Sequence, residues 1–218
     1  MYAREYMKSP VITVTPDTLL DDALRTVHEH HIRRLPVVDN KGKLVGLVTR
    51  HGLREAAPTP SPAIPLSIWG AHYQLSKMKV RDVMITDVIT VTPDNPIEKA
   101  ATLFRQHKIG TLPVVDKTGR VVGILTGTDL LRVLTDVLGL EQKGVRIRIS
   151  SLGSDKVTRH HQIMEILGKH PVDVMSAFSV PLADTKQEDF ILHLDTERVE
   201  PIVDDLKKLG LKVEVQAH

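Results

Sequence analysis

The stretch Val11-Ile12-Thr13-Val14-Thr15-Pro16-Asp17 occurs twice: Val88-Ile89-Thr90-Val91-Thr92-Pro93-Asp94 repeats it unchanged. Working outward from it, residues 7–53 and 84–130 align without a gap, at an offset of 77. Leu35-Pro36-Val37-Val38-Asp39 matches Leu112-Pro113-Val114-Val115-Asp116. Gly42 matches Gly119, Val45-Gly46 matches Val122-Gly123, and Thr49 matches Thr126. So many identities at one fixed offset mark a duplicated supersecondary unit.

Each copy reads in the same order. The β-branched run VITV predicts a strand. Thr-Pro-Asp ends it and places a Thr or an Asp to cap a helix. That helix carries Leu20, Ala23, Leu24 and Val27 in the first copy and Ile97, Ala100, Ala101 and Phe104 in the second, at helical spacing. The near-continuous apolar run LPVVD predicts a strand covered on both faces. Asn40-Lys41-Gly42 and Lys117-Thr118-Gly119 predict turns. A third strand follows, Leu44 to Thr49 and Val121 to Thr126. The last helix of the second copy begins near Thr126 and carries Leu130, Leu131, Val133 and Leu134. The predicted order is β-α-β-β-α, twice. Between the copies, Ala56 to Leu75 holds four prolines in eight residues, which predicts a connector without regular structure. Its apolar residues Ile64, Leu66, Ile68, Trp69 and Tyr73 predict that it packs.

Composition narrows the function classes. The 218 residues include no Cys, which excludes disulfides, Cys-ligated zinc, iron–sulfur clusters and a thiol nucleophile. Lys+Arg 29 against Asp+Glu 27 is a formal charge of +2, so no basic field points to nucleic acid. One Trp, three Tyr and three Phe leave little for base stacking. No apolar run approaches the roughly 20 residues that span a bilayer, and the N-terminus lacks the apolar stretch of a signal peptide. The expectation is an intracellular, cytoplasmic chain with an aliphatic core, bound neither to nucleic acid nor to a membrane.

The paired units resemble CBS domains, on strand-TPD-helix, LPVVD-x-x-G, and a Gly-apolar-apolar-Thr-x-x-Asp signature that Gly123-Ile124-Leu125-Thr126-Gly127-Thr128-Asp129 fits in full. The resemblance covers residues 7–55 and 77–135. It implies a stacked pair that holds an adenine nucleotide (AMP, ADP or ATP) as ligand, with no cofactor required. The signature has a physical basis. A helix starting after Leu125 presents free N–H groups and partial positive charge to a phosphate. Thr126 and Thr128 add hydroxyls. The resemblance places the ribose on Asp129 and the base among Thr86, Val88, Ile89, Ile109, Gly110 and Thr111. It directs Arg33 and Arg34, which precede Leu35-Pro36, toward the other copy's cleft, where guanidinium suits phosphate. In the first copy Gly52 stands where the ribose Asp belongs, so that cleft is expected to be degenerate, with Thr49 still able to cap a helix. Structural readings stand beside these: Asp129 as a helix-dipole partner, Thr126 as an N-cap, and Arg33-Arg34 as a solvated basic pair or a subunit contact.

His28, His30 and His31 end the first helix, where the dipole favours them, and His160-His161 sit in a later one. No metal site is expected. No catalytic triad, paired carboxylates or P-loop is present, so no catalytic residue is assigned and a non-enzyme is expected.

Beyond Gly139 the repeat stops. Val145-Arg146-Ile147-Arg148-Ile149 alternates as a strand with one wet face. Asp155 to Lys169 predicts a helix with Val157, Ile163, Ile166 and Leu167 inward. Val172 to Val180 and Phe190 to Leu194 predict strands, Val199 to Leu209 a helix ended by Gly210, and Lys212 to Val215 a last strand. This β-α-β-β-α-β order is ferredoxin-like. In this position it resembles an ACT domain, a regulatory module that often binds amino acids and pairs sheets edge to edge. Gly153, in the loop Ser150 to Asp155, stands where such domains hold a ligand, though without the usual Pro-Gly context.

The expected architecture is therefore α/β (α+β). A CBS pair covers 1–139 (copy one 7–55, linker 56–76, copy two 77–135) and an ACT-like domain covers 140–218. The combination resembles acetoin-utilisation proteins of the AcuB type. It implies a non-enzymatic regulator that binds an adenine nucleotide, forms a homodimer and signals to a regulated enzyme partner. A dimeric scaffold without a physiological nucleotide, or an amino-acid sensor, is the alternative.

Overall fold

The computed structural model describes residues 1–56, 78–150, 155–182 and 188–216. The connector's apolar residues and Gly153 of the candidate loop lie outside the described residues. Contacts divide the chain into two compact units, Met1–Leu131 and Arg132–His218, and the division falls within one helix.

In the first unit, α1 (Ala3–Tyr6) precedes the first copy: α2 (Leu20–Glu29), β1 (Arg34–Val38), β2 (Leu44–Thr49) and α3 (Arg50–Glu55). A 3-10 turn at Val80–Asp82 leads into the second copy: α4 (Ile97–His107), β3 (Thr111–Val115), β4 (Val121–Thr126) and α5 (Gly127–Leu138). β1 pairs antiparallel with β2, and β3 with β4, in the same register and with the same irregularity one residue before the strand end. The Asp of LPVVD closes each hairpin. Asp39 Oδ1 accepts from the Lys41 and Lys43 N–H groups, both at 2.8 Å. Asp116 Oδ1 does the same for Thr118 and Arg120. The glycine three residues on, Gly42 or Gly119, takes a φ of +78° or +84°, a left-handed turn conformation open to glycine at no steric cost.

The runs VITV are not strands. Each is reduced to one parallel bridge, Val14 to Val37 and Val91 to Val114. The cause lies in the neighbouring strand. Val14 donates to the Pro36 carbonyl and accepts from Val38, as Val91 does with Pro113 and Val115. Two residues earlier, the ladder would need an N–H from Pro36 or Pro113, and proline has none.

Thr-Pro-Asp does not cap the helices. Thr18 Oγ1 accepts from the Thr15 N–H at 3.0 Å and Asn95 Oδ1 from the Thr92 N–H at 3.1 Å, so the segment forms a side-chain turn. The caps themselves are Leu19 and Pro96, without a side-chain bond.

The cores follow the helical stripes. Leu20, Ala23 and Val27 pack with Leu35, Val37, Val48 and Leu53, with Leu24 partly buried beside them. Ile97, Ala100 and Phe104 are buried while Ala101 is exposed.

The copies also exchange backbone. Lys8 bridges Ile124 of β4, and its equivalent Ile85 bridges Leu47 of β2. Leu44 donates to the Gly119 carbonyl and Val121 to the Gly42 carbonyl. Such reciprocal contacts between equivalent positions are what an approximate two-fold axis produces.

The second unit holds β5 (Val145–Ser150), α6 (Lys156–Leu167), β6 (Val174–Pro181), β7 (Glu188–Leu194), α7 (Glu200–Lys208) and β8 (Lys212–Gln216). The antiparallel sheet runs β6-β7-β5-β8. Ile147 and Ile149 of β5 and Leu192 and Leu194 of β7 are fully buried against Ile163 and Leu206 of the two helices. Val157 is 81% exposed, against the sequence expectation. At about 100° per residue it stands about 120° off the line through Ile163, outside the buried stripe.

Candidate functional site

The β4–α5 junction builds the core of the site. Asp129, in the first turn of α5, is only 3% exposed. Its Oδ2 accepts from the Thr126 N–H at 2.8 Å and from the Thr126 hydroxyl at 2.6 Å. This is the return half of a capping box: the carboxylate reaches back to the residue that precedes the helix. Gly127 donates to the Gly110 carbonyl at 3.3 Å, which ties the helix start to the segment before β3. Thr128 is exposed beside it.

Arg34 arrives from the other copy. Its Nη1 donates to Thr111 Oγ1 at 3.0 Å, and Thr111 Oγ1 donates to the Gly110 carbonyl at 2.8 Å. A Cβ on Gly110 would stand 3.5 Å from the guanidinium nitrogens, so glycine leaves the cation lying against bare backbone. Burial, together with the neighbouring Arg33 charge, lowers the Arg34 pKa from its ordinary value. The group stays cationic, since arginine begins far above neutrality. A partly desolvated cation thus lies against Gly110, and Gly110 is bonded to the start of the helix that carries the Asp129 carboxylate. Together they can hold an anion and a polyol.

The structure brings Asp129, Thr126, Gly110, Thr111 and Arg34 into one connected set. Arg33 is exposed and its side chain does not join it. Ile109 is half-buried next to Gly110, and Ile89 is half-buried in the extended run before Val91. Thr86 and Val88 line a cleft of about 220 Å³ with Leu44, Val45 and Gly46 of the first copy, Thr90, Val115 and Gly119. That cleft includes neither Asp129 nor Thr126.

In the first copy Thr49 caps α3 in the ordinary sense, accepting from the Gly52 N–H at 3.0 Å. Sequence reading passed over Arg50. Its Nη2 donates to the Ile32 carbonyl at 2.9 Å and to the Val27 carbonyl at 3.4 Å. Its N–H donates to the Arg33 carbonyl at 2.8 Å. The signal was present in the repeat, where Arg50 stands opposite Gly127.

Residues 3–58 and 80–136 both match the CBS domain family model. The chain belongs to the CBS-domain family. A CBS domain-containing protein of Dictyostelium discoideum is 39% identical over 135 residues, which is 62% of this chain and 92% of that one. Homoserine O-acetyltransferases of Methanohalobium evestigatum and Methanococcoides burtonii are 31% and 32% identical over 62% and 60% of this chain, a segment that is 24% and 23% of those longer chains. Among solved structures, a Vibrio cholerae chain assigned to acetoin utilization (AcuB) is 29% identical, with TM-score 0.54 over 65% of this chain and 95% of that one. The protein CBSX2, solved in complex with AMP, is 29% identical, with TM-score 0.51 over 65% of this chain and 98% of that one. Among the described residues no helix is long and apolar enough to cross a membrane.

Proposed function

We propose that this CBS pair is a non-enzymatic regulatory module that binds one adenine nucleotide, at the second copy. The observation that carries the reading is the buried Asp129 in the first turn of α5, together with a guanidinium that the first copy delivers to Gly110 and Thr111, beside the start of that helix. Asp129 takes the ribose hydroxyls, and Thr126, Thr128 and the helix N-terminus take the phosphate with Arg34. Ile89 and Ile109 flank the base. The similarity to a CBS protein solved with AMP supports this ligand class. The C-terminal β-α-β-β-α-β unit has the element order of an ACT domain. In this reading it relays the bound state to a regulated enzyme partner, as expected of an AcuB-type protein. Calorimetric titration of AMP, ADP and ATP into wild type and Asp129→Ala tests it. Wild type binds one nucleotide per chain in the micromolar to low millimolar range, and the variant binds at least tenfold more weakly. Absence of binding by wild type overturns the reading.

A second reading, a homodimeric scaffold, rests on α5. Leu131, Leu134 and Val137 are 63%, 50% and 47% exposed along one side of the helix. Thermal melts separate the two readings. A ligand at 100 times its Kd stabilises the fold by about 2.7 kcal/mol, whereas a scaffold melts at the same temperature with or without nucleotide.

A further inference from the structure

The two copies differ at the residue after the strand-end threonine. In the second copy Gly127 leaves open space, with nothing within 4 Å of where a Cβ would stand. In the first copy the equivalent Arg50 turns its guanidinium back onto the Ile32 and Val27 carbonyls. Ile32 is the repeat equivalent of Ile109, which the nucleotide reading places beside the base. The first copy's recognition segment therefore already has a cationic hydrogen-bond donor on it, supplied by its own chain.

Arg50 also grips the segment by its backbone. Its N–H bonds the Arg33 carbonyl at 2.8 Å, tighter than the 3.3 Å bond from Gly127 to Gly110. Three donor contacts from one residue thus fix the path from the end of α2 through Ile32 to Arg33. The next residue is Arg34, which pairs with Thr49 across the hairpin and sends its guanidinium to Thr111 in the other copy. A long cationic side chain keeps its aim only when its backbone is held, because rotamer entropy otherwise spreads it.

We propose that Arg50 is a positioning residue. It keeps the first copy's cleft filled, and it holds the segment that presents Arg34 to a phosphate bound at the second copy. The degenerate copy thereby serves as the phosphate arm of the competent one. The proposal rests on the nucleotide reading above for its ligand.

Calorimetry with AMP and with adenosine, on wild type, Arg50→Gly, Arg34→Ala and the double variant, tests it. Expected are one AMP per wild-type chain, a five- to tenfold loss of AMP affinity in Arg50→Gly, and an unchanged adenosine affinity. Arg50→Gly added to Arg34→Ala costs no further AMP affinity, because both changes remove the same contact. Equal losses for AMP and adenosine, losses that multiply in the double variant, or two AMP per wild-type chain overturn the proposal. If wild type binds neither ligand, the nucleotide reading fails. The positioning claim is then judged by hydrogen exchange in the free protein. The Ile32 amide, which bonds the Val27 carbonyl, exchanges at least tenfold faster in Arg50→Gly. Unchanged exchange overturns it.

Discussion

Arg34 donates to Thr111 at 3.0 Å, and the two occupy the same position of the repeat, 77 residues apart. A residue meets its own equivalent only near the axis that relates the copies. The meeting is unequal: a cation on one side, a hydroxyl on the other. The asymmetry runs through the site. Asp129 answers Gly52, and Gly127 answers Arg50.

The first prediction concerns that pair. A hydrogen bond to a charged group contributes about 1.5–3 kcal/mol, so Arg34→Ala raises the Kd for AMP about tenfold or more. Arg34→Lys recovers only part, because an ammonium cannot present the planar fork. Adenosine, without phosphate, binds the three proteins alike. Calorimetry with both ligands reads the difference. Equal weakening for both would remove Arg34 from the phosphate.

Asp129 has a second effect, on stability. Its carboxylate bonds both the N–H and the hydroxyl of Thr126. Losing a capping interaction of this kind costs about 0.5–2 kcal/mol, and urea unfolding of ligand-free Asp129→Ala shows it as a lower midpoint with unchanged slope. The same measurement on Thr126→Val gives a smaller loss, because the backbone N–H bond remains. A ligand-free variant as stable as wild type contradicts the capping geometry.

Local patterns made much of this legible, and contacts distant in sequence did not. The hairpins and the αβ order sit within a few residues of their causes, so spacing alone places them. The ferredoxin-like order of the second unit was readable for the same reason. Pro36 and Pro113 were in plain view, yet their effect falls on another segment, by removing the N–H that Ile12 and Ile89 would need. The repeat sets Arg50 against Gly127, but its partners could not be read: they lie 18 and 23 residues earlier, and only side-chain direction brings them together. The exchanged bridges at Lys8 and Ile85 are likewise products of packing.

Those bridges account for two glycines. A Cβ on Gly46 would stand 3.1 Å from Met84 Cγ, and one on Gly123 would stand 2.8 Å from Met7 Cγ. Met7 and Met84 are repeat equivalents, as are Gly46 and Gly123. Each glycine lets the other copy's methionine cross its strand. Overpacking costs about 1–3 kcal/mol, so Gly123→Ala destabilises by about that amount. Met7→Ala in the same chain returns part of the loss, a coupling that a double-mutant cycle detects. Additive effects would show that the two do not share the space.

The last prediction lies in the second unit. Asp189 of β7 is 3% exposed. Burial alone would raise its pKa, but the Ser150 hydroxyl at 2.7 Å and Arg148, with Nε at 2.7 Å, outweigh it and hold the carboxyl below its ordinary value. Arg148 also reaches Glu214 of β8 at 3.3 Å, so one guanidinium joins three strands. A carboxyl depressed by folding adds stability above its unfolded pKa, about 3.9. That contribution is lost as pH falls through the lower, folded value. Wild type therefore loses stability as pH drops below about 4–5. Asp189→Asn, less stable near pH 7, shows a shallower acid decline, so the two curves converge at low pH. Urea midpoints measured from pH 7 to pH 2.5 test this. Parallel curves would mean that Asp189 keeps its ordinary affinity for the proton and that the Arg148 network does not hold its charge.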